Sequence, residues 1–347
     1  MRLVETSSFL MDKKLIVNIY DTENKLVLKR GTILGNREIR LIKNLRYHYI
    51  FIKDNYCVTK QKQIFSKETG AYIAQITQEF YAIAFDCMEK GGITNLSSFI
   101  STIKLLVNSL KNQHEKDPLK IIYIPNNLVP NSMISNTIVT AINCGIFGII
   151  LGFDNEKTVN LVLSDFLKDI GVFSEKIAKK EEASHTLIGY KHLQQYHNLD
   201  KSVLDAVMQH HEVEDGTGYP QQLRNNDIVE FAKIIQIVNF HTNFMYSHEI
   251  LGCGANSLKD TLEPILKKFN QNLLNTFVQN TNFFMPDTMF KLSNYDMGIL
   301  VKNNPNNLLK PIIQVIDNFS GKFAMNQIVD LTTISDVELE SIEYFFD

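Results

Sequence analysis

Residues 209–220 read QHHEVEDGTGYP, a run whose types and spacing could do metal and phosphate chemistry. Imidazole is the commonest metal ligand. Adjacent residues on a helix diverge by ~100°, so His210 and His211 can flank one inward face and reach different parts of a single site. In the loop that follows, Gly216 and Gly218 permit positive φ and close backbone approach. Tyr219 offers a flat ring and a hydroxyl, and Pro220 stiffens the exit. Alone, a His pair suits surface or core histidines and DGTG suits a plain turn. Their combination carries the weight.

Helices must position these groups. Apolar spacing predicts one helix with the stripe Ile138, Val139, Ile142, Ile146, Ile149 and Ile150. A second carries Val159, Val162, Leu163, Phe166, Leu167 and Ile170, with Gly171 as its C-cap. A third holds His185, Ile188, His192 and Tyr196. A fourth runs from Val203 to His211, and a fifth from about Ile228 to Phe244. Upstream, 60–112 reads as helix broken at Gly91-Gly92, and the polar run 114–118 ends it. The first 56 residues read as a small α/β module: strands at 15–21 and 26–32, a short helix from about Asn36, and a strand at 47–54. Beyond Pro286 three short β runs are separated by turn chemistry, with a terminal helical piece from Ser335. The expected class is mainly α, with units at 1–56, 60–280 (core 132–250) and 283–347.

Composition narrows the function classes. The chain has 347 residues, 44% hydrophobic and 21% charged, which excludes a mainly disordered chain. Thirty-five Lys+Arg against 38 Asp+Glu give −3, without the basic excess of a dedicated nucleic-acid binder. Cys57, Cys87, Cys144 and Cys253 form no C-x-x-C pair and read as free thiols in a reducing cytosol. The N-terminus lacks the apolar core of a signal peptide. The most apolar stretch, 138–153, is interrupted by Asn143 and falls short of a ~20-residue span. A cytoplasmic protein without a membrane span is expected.

The sequence resembles the HD-GYP domains, cyclic-di-GMP phosphodiesterases of the HD superfamily. The match is HHE-x-x-DGTGYP at 210–220, FLKDIG at 166–171 against the family's LLHDIG, HTLIGYKHL at 185–193 against H-x-x-x-G, and the helix AKIIQIVNF at 232–240. It covers roughly 90–347, including the C-terminal β extension, and the N-terminal module resembles the small domain that often precedes HD-GYP. The resemblance implies an all-helical HD-GYP domain with a His/Asp cluster around two or three iron or manganese ions.

This chain keeps only part of that set. Asp169, His185, His210 and His211 match metal ligands, and Lys168 with Asp169 stand at the catalytic HD position. Three other ligand positions are degenerate: Asn136 for the first His, Lys168 for the His of HD, and Asn239 for the late Asp. Val172 replaces the lysine that usually follows HDIG, and the segment from Asp169 to His185 is short. The losses fall on one subsite and the other is whole, which implies one divalent Fe or Mn ion per chain, or none. Lys168 either supplies positive charge beside Asp169 or points to solvent at a helix end, where cations favour the macrodipole. Asn239 faces inward on the stripe of Ala232 and Ile235, as a core amide or a lost ligand. Glu212 fits a place behind the ligands, where carboxylates orient histidines. Asp215, Gly216, Gly218, Tyr219 and Pro220 are the candidate substrate-binding residues, with cyclic-di-GMP or a related nucleotide as ligand.

Three functions compete. The first is a cyclic-di-GMP signalling protein that binds nucleotide or a signalling-protein partner and hydrolyses slowly or not at all. The second is an active phosphodiesterase yielding pGpG or GMP, and the third is a scaffold without ligand. The four retained ligands argue against the third.

Overall fold

The computed structural model describes residues 2–21, 25–45, 47, 49–57, 65–93, 95–121, 133–173, 184–246 and 257–343. Cys253, most of the segment between Asp169 and His185, and the ends of several predicted elements lie outside them.

At the N-terminus, β1 (Arg2–Glu5), β2 (Lys14–Leu15) and β5 (Tyr49–Lys53) form a three-stranded antiparallel sheet in the order β1-β5-β2. A separate hairpin joins β3 (Ile19–Tyr20) to β4 (Leu26–Leu28). The expected strand over 15–21 is therefore two, because the chain changes sheets between them: the Asn18 side chain accepts the Arg30 amide at 2.7 Å in place of a ladder bond. Helix α1 (Asn36–Asn44) buries Ile39 and Ile42 on this module's own small core with Val4, Leu10, Leu15, Ile50 and Ile52.

The centre is helical. The pair α2 (Lys67–Lys90) and α3 (Ser97–Lys116) is broken at Gly91, whose left-handed conformation caps α2. Helix α4 (Met133–Ile150) is buried on nearly every side, packing against α3, α5 (Asn155–Leu167) and α9 (Glu230–Tyr246). It is the one helix among the described residues long and apolar enough to cross a membrane, yet 78% of it is buried inside the protein. Asp154 caps α5 by accepting the Lys157 amide. Phe166, near the end of α5, sits between Phe80 and Phe99 at ring distances of 4.9 and 5.0 Å, which anchors the turn after it to α2 and α3. Behind these lie α6 (Ile170–Phe173), α7 (His185–Tyr196) and α8 (Lys201–Gln209). Gly171 is not the expected C-cap of α5. It lies inside α6 without positive φ, and a Cβ there would stand 2.1 Å from the His185 carbonyl oxygen. The glycine is needed for close approach of α6 to the start of α7.

Helices α10 (Leu258–Leu266) and α11 (Gln271–Gln279) lead into a five-stranded antiparallel sheet. Its strands are β6 (Met289–Leu292), β7 (Met297–Lys302), β8 (Ile312–Asp317), β9 (Ile328–Asp330) and β10 (Leu339–Glu343), in the order β10-β6-β7-β8-β9. The expected helical piece from Ser335 is instead strand β10. Its Leu339 pairs with Leu292 and its Glu343 with Met289, so the open edge of β6 overrides the helix-forming Glu and Leu residues. Phe284 packs on Phe290 and Phe283 on Phe244, seating the sheet against α9.

Candidate metal centre

Helix ends bring the candidate groups together. Asp169 lies in the turn between α5 and α6, His185 opens α7, and His210 and His211 follow the last turn of α8. A donor atom from each of these four lies within 4.8 Å of every other. His185 Nε2 is 3.3 Å from His210 Nε2, 3.2 Å from His211 Nε2 and 3.5 Å from Asp169 Oδ1. His210 Nε2 is 3.4 Å from the same Asp169 oxygen.

The tautomer of His210 follows from one contact. Its Nδ1 lies 2.8 Å from the Val207 carbonyl oxygen, which can only accept. In the neutral ring the proton is therefore on Nδ1, and Nε2 presents a lone pair to the cluster. His185 Nε2 carries at most one proton and can satisfy only one of its three close neighbours. The other contacts set lone pair against lone pair, an arrangement that a cation relieves. Donors about 2.1 Å from one ion lie roughly 3–3.5 Å apart; the four close contacts fall in that range and every donor lies within 4.8 Å of the others, so the residues could hold a metal ion.

Electrostatics favour the ligand form of His210, His211 and Asp169. Burial depresses His210 despite the pull of Asp169, and burial with the neighbouring imidazoles takes His211 down to about 3. Burial alone would raise Asp169. The Lys168 ammonium and contacts from His185 and His210 outweigh it and hold the carboxyl well below its ordinary value.

Lys168, Asn136 and Asn239, the positions expected to be degenerate, lie differently. Lys168 does not reach solvent: its side chain is 2% exposed, and Nζ is 3.3 Å from Asp169 Oδ2 and 3.4 Å from Asp165 Oδ1. Two carboxylates outweigh burial and raise its pKa. Asp169 thus turns one oxygen to the imidazoles and the other to an ammonium. Asn136 donates to Asn243 at 3.4 Å, not to Asn239, and its Oδ1 is buried with no hydrogen bond among the described residues. Asn239 is half-buried.

Asp165 was not singled out by sequence reasoning. It is 0% exposed, neither oxygen makes a hydrogen bond of good geometry, and burial pushes its carboxyl up to about 7 despite Lys168. The only sequence signal was its place three residues ahead of a lysine.

The loop forms a wall beside the cluster. Tyr219 stacks on His211, with ring centroids 4.6 Å apart and planes 17° apart, and is 43% exposed. The Tyr219–Pro220 bond is cis. Gly218 is indispensable to this approach, because a Cβ would lie 2.5 Å from both the Glu212 Cα and the His211 oxygen. Asp215 accepts from the Thr217 amide and hydroxyl, folding the loop on itself, and Gly216 has φ of +79°. Glu212 does not orient a histidine as expected. Its fully buried carboxylate accepts the amides of Gln221 at 2.6 Å and Leu223 at 2.9 Å, pinning the loop's exit. His241 is not part of the cluster: its Nε2 lies 3.0 Å from the Phe283 oxygen.

A family model described as HD domain matches residues 130–247. The chain is 27% identical over 206 residues to "Cyclic di-GMP phosphodiesterase PdeB" of Borreliella burgdorferi, covering 54% of each protein, so it spans about half the length of that relative. A solved structure described as Bd1817, an HDG"Y"P protein from Bdellovibrio bacteriovorus, aligns over 80% of this chain and 97% of that one, with 16% identity and a TM-score of 0.44. The HD match spans the helices that carry all four donors, and the loop they adjoin reads DGTGYP: residues 130–247 are similar to HD domains, and the loop carries the HD-GYP signature.

Proposed function

We propose that this protein is a one-metal HD-GYP protein that binds cyclic-di-GMP and hydrolyses it weakly or not at all. The observation that carries the reading is the division of Asp169, with Oδ1 among three imidazole nitrogens and Oδ2 beside the Lys168 ammonium. Asp169, His185, His210 and His211 would hold one divalent ion, iron or manganese. Such an ion supplies neutralisation of phosphodiester charge and a bound water of lowered pKa. His210 is held as a ligand by its proton on Nδ1, and Lys168 places fixed positive charge where a second ion would otherwise be needed. Tyr219 closes one side of the site with an exposed ring face suited to a guanine and a hydroxyl suited to phosphate. Asp215, Gly216, Gly218 and Pro220 shape that wall. The N-terminal module, 1–56, with its own small core, and the C-terminal extension, 283–347, which shares the core of the helices, flank the HD unit.

An ammonium cannot carry a water of lowered pKa, so one-metal chemistry loses the second ion's share of nucleophile activation and leaving-group stabilisation. The relative's printed activity favours the second reading, an active phosphodiesterase yielding pGpG or GMP. Elemental analysis of metal-replete protein, paired with cyclic-di-GMP binding and turnover, separates them. One ion per chain with tight binding and slow turnover is expected. Two ions, or brisk turnover, refute the first reading, and no ion removes the metal site.

A further inference from the structure

Asp165 and Lys168 form a buried pair that metal ligation does not require. Asp165 lies in the last turn of α5, and both side chains are almost wholly enclosed. The ammonium bridges the two carboxylates, with Nζ 3.4 Å from Asp165 Oδ1 and 3.3 Å from Asp169 Oδ2. Cys144, also buried against the pair, is a neutral thiol, since burial pushes it well above its ordinary value. Imidazoles that ligate a metal do so in the neutral form.

We infer that Asp165 is a positioning residue for the metal centre: it is the counter-ion that lets a site with an ammonium beside its one ligand carboxylate still accept a divalent cation. The inference rests on the one-metal reading above. Without Asp165, the charges of Lys168 and Asp169 cancel, and a divalent ion would enter a neutral site facing a buried ammonium. With Asp165, the formal charges of Asp165, Lys168 and Asp169 are −1, +1 and −1, a net −1. The ammonium is also drawn partly off Asp169, which leaves that carboxylate free to ligate. Bringing a cation to a buried like charge is costly because little solvent screens it.

The test is the affinity for Mn²⁺ alone, measured by equilibrium dialysis at pH 8 on metal-free protein. Wild type is compared with Asp165→Asn, Lys168→Met and the double variant. Asp165→Asn should bind at least about tenfold more weakly, because it alone leaves the ammonium uncompensated. The double variant should return to within about threefold of wild type, and Lys168→Met should bind at least as tightly as wild type. Equal affinity of Asp165→Asn and wild type overturns the inference. A double variant as weak as the single also overturns it, since Asp165 would then act through packing. If Asp165→Asn does not fold, the double variant, which buries no charge at the pair, decides: a tenfold loss there refutes the charge argument. Wild type that binds no Mn²⁺ sinks the one-metal reading instead, so the two failures are distinguishable.

Discussion

The two oxygens of Asp169 look into two different environments. On the Oδ1 side stand three imidazoles from α7 and the end of α8, with lone pairs converging and no fixed positive charge. On the Oδ2 side stand Lys168 and, beyond it, the buried Asp165. One side is poised for a cation from solution. The other carries its cation covalently, with that cation's counter-charge. On the one-metal reading proposed above, the lysine with an acid one turn earlier fills the second side without leaving an unbalanced charge.

The sharpest way to break this comparison is to convert the second side into a copy of the first. Asn136→His, Lys168→His and Asn239→Asp would supply three ligands, but the triple variant would leave Asp165 buried without its ammonium. Adding Asp165→Ala removes that charge. The quadruple variant should hold a second ion and raise cyclic-di-GMP turnover at least about a hundredfold over wild type, with far smaller effects from any single change because the ligands act as a unit. A quadruple variant that binds a second ion without faster turnover would show that the missing metal does not explain slow hydrolysis.

Acid should discriminate the two sides by the sign of its effect on metal-free protein. Burial depresses His210 and takes His211 to about 3, whereas the unfolded chain protonates its histidines near 6.5. In that window the unfolded state binds more protons, so the imidazole side loses stability as pH falls. Asp165 has the opposite sign. Its folded value is about 7 against 3.8, so the native state holds the extra proton and this group gains stability as pH falls. Two imidazoles against one carboxyl predict a net loss between pH 7 and 5, read as a falling Tm. Asp165→Asn removes the opposing slope and should make the loss steeper. A shallower loss in that variant would contradict the assignment of opposite signs. Asp169, held below its ordinary value, titrates under this window and does not confuse the reading.

How much of this was legible in the sequence depended on whether a residue's role was local. The helices and the C-terminal strands 289–317 follow from periodicity and turn chemistry, while the convergence of Asp169 with three histidines was implied only by the family resemblance. Asp165 was not legible, because an acid on a helix reads as a solvated position until the packing of α4 against α5 buries it. Gly171 read as a cap because the close approach of His185 is a tertiary fact. Strand β10 was missed for the same reason: its partner edge lies some 50 residues away in sequence, at β6. Glu212 was placed behind the ligands, but the two amides it accepts belong to the loop's exit.

The smallest effect concerns the wall that both sides share. The Tyr219 ring lies flat on His211, and burial together with the nearby Asp169 charge raises its hydroxyl's pKa, so it remains a neutral phenol. Tyr219→Phe keeps the stack and removes only the hydroxyl. If that group donates to a phosphate oxygen of bound cyclic-di-GMP, affinity should fall by roughly 1 kcal/mol, about fivefold. Mn²⁺ affinity and Tm should stay at wild-type values, because the ring still holds His211 in place. Tyr219→Ala should also loosen His211 and weaken the metal, which separates the ring's role from the hydroxyl's. Unchanged nucleotide affinity in Tyr219→Phe, beside a metal loss in Tyr219→Ala, would reduce the tyrosine to a brace for one ligand and move nucleotide recognition elsewhere in the cleft.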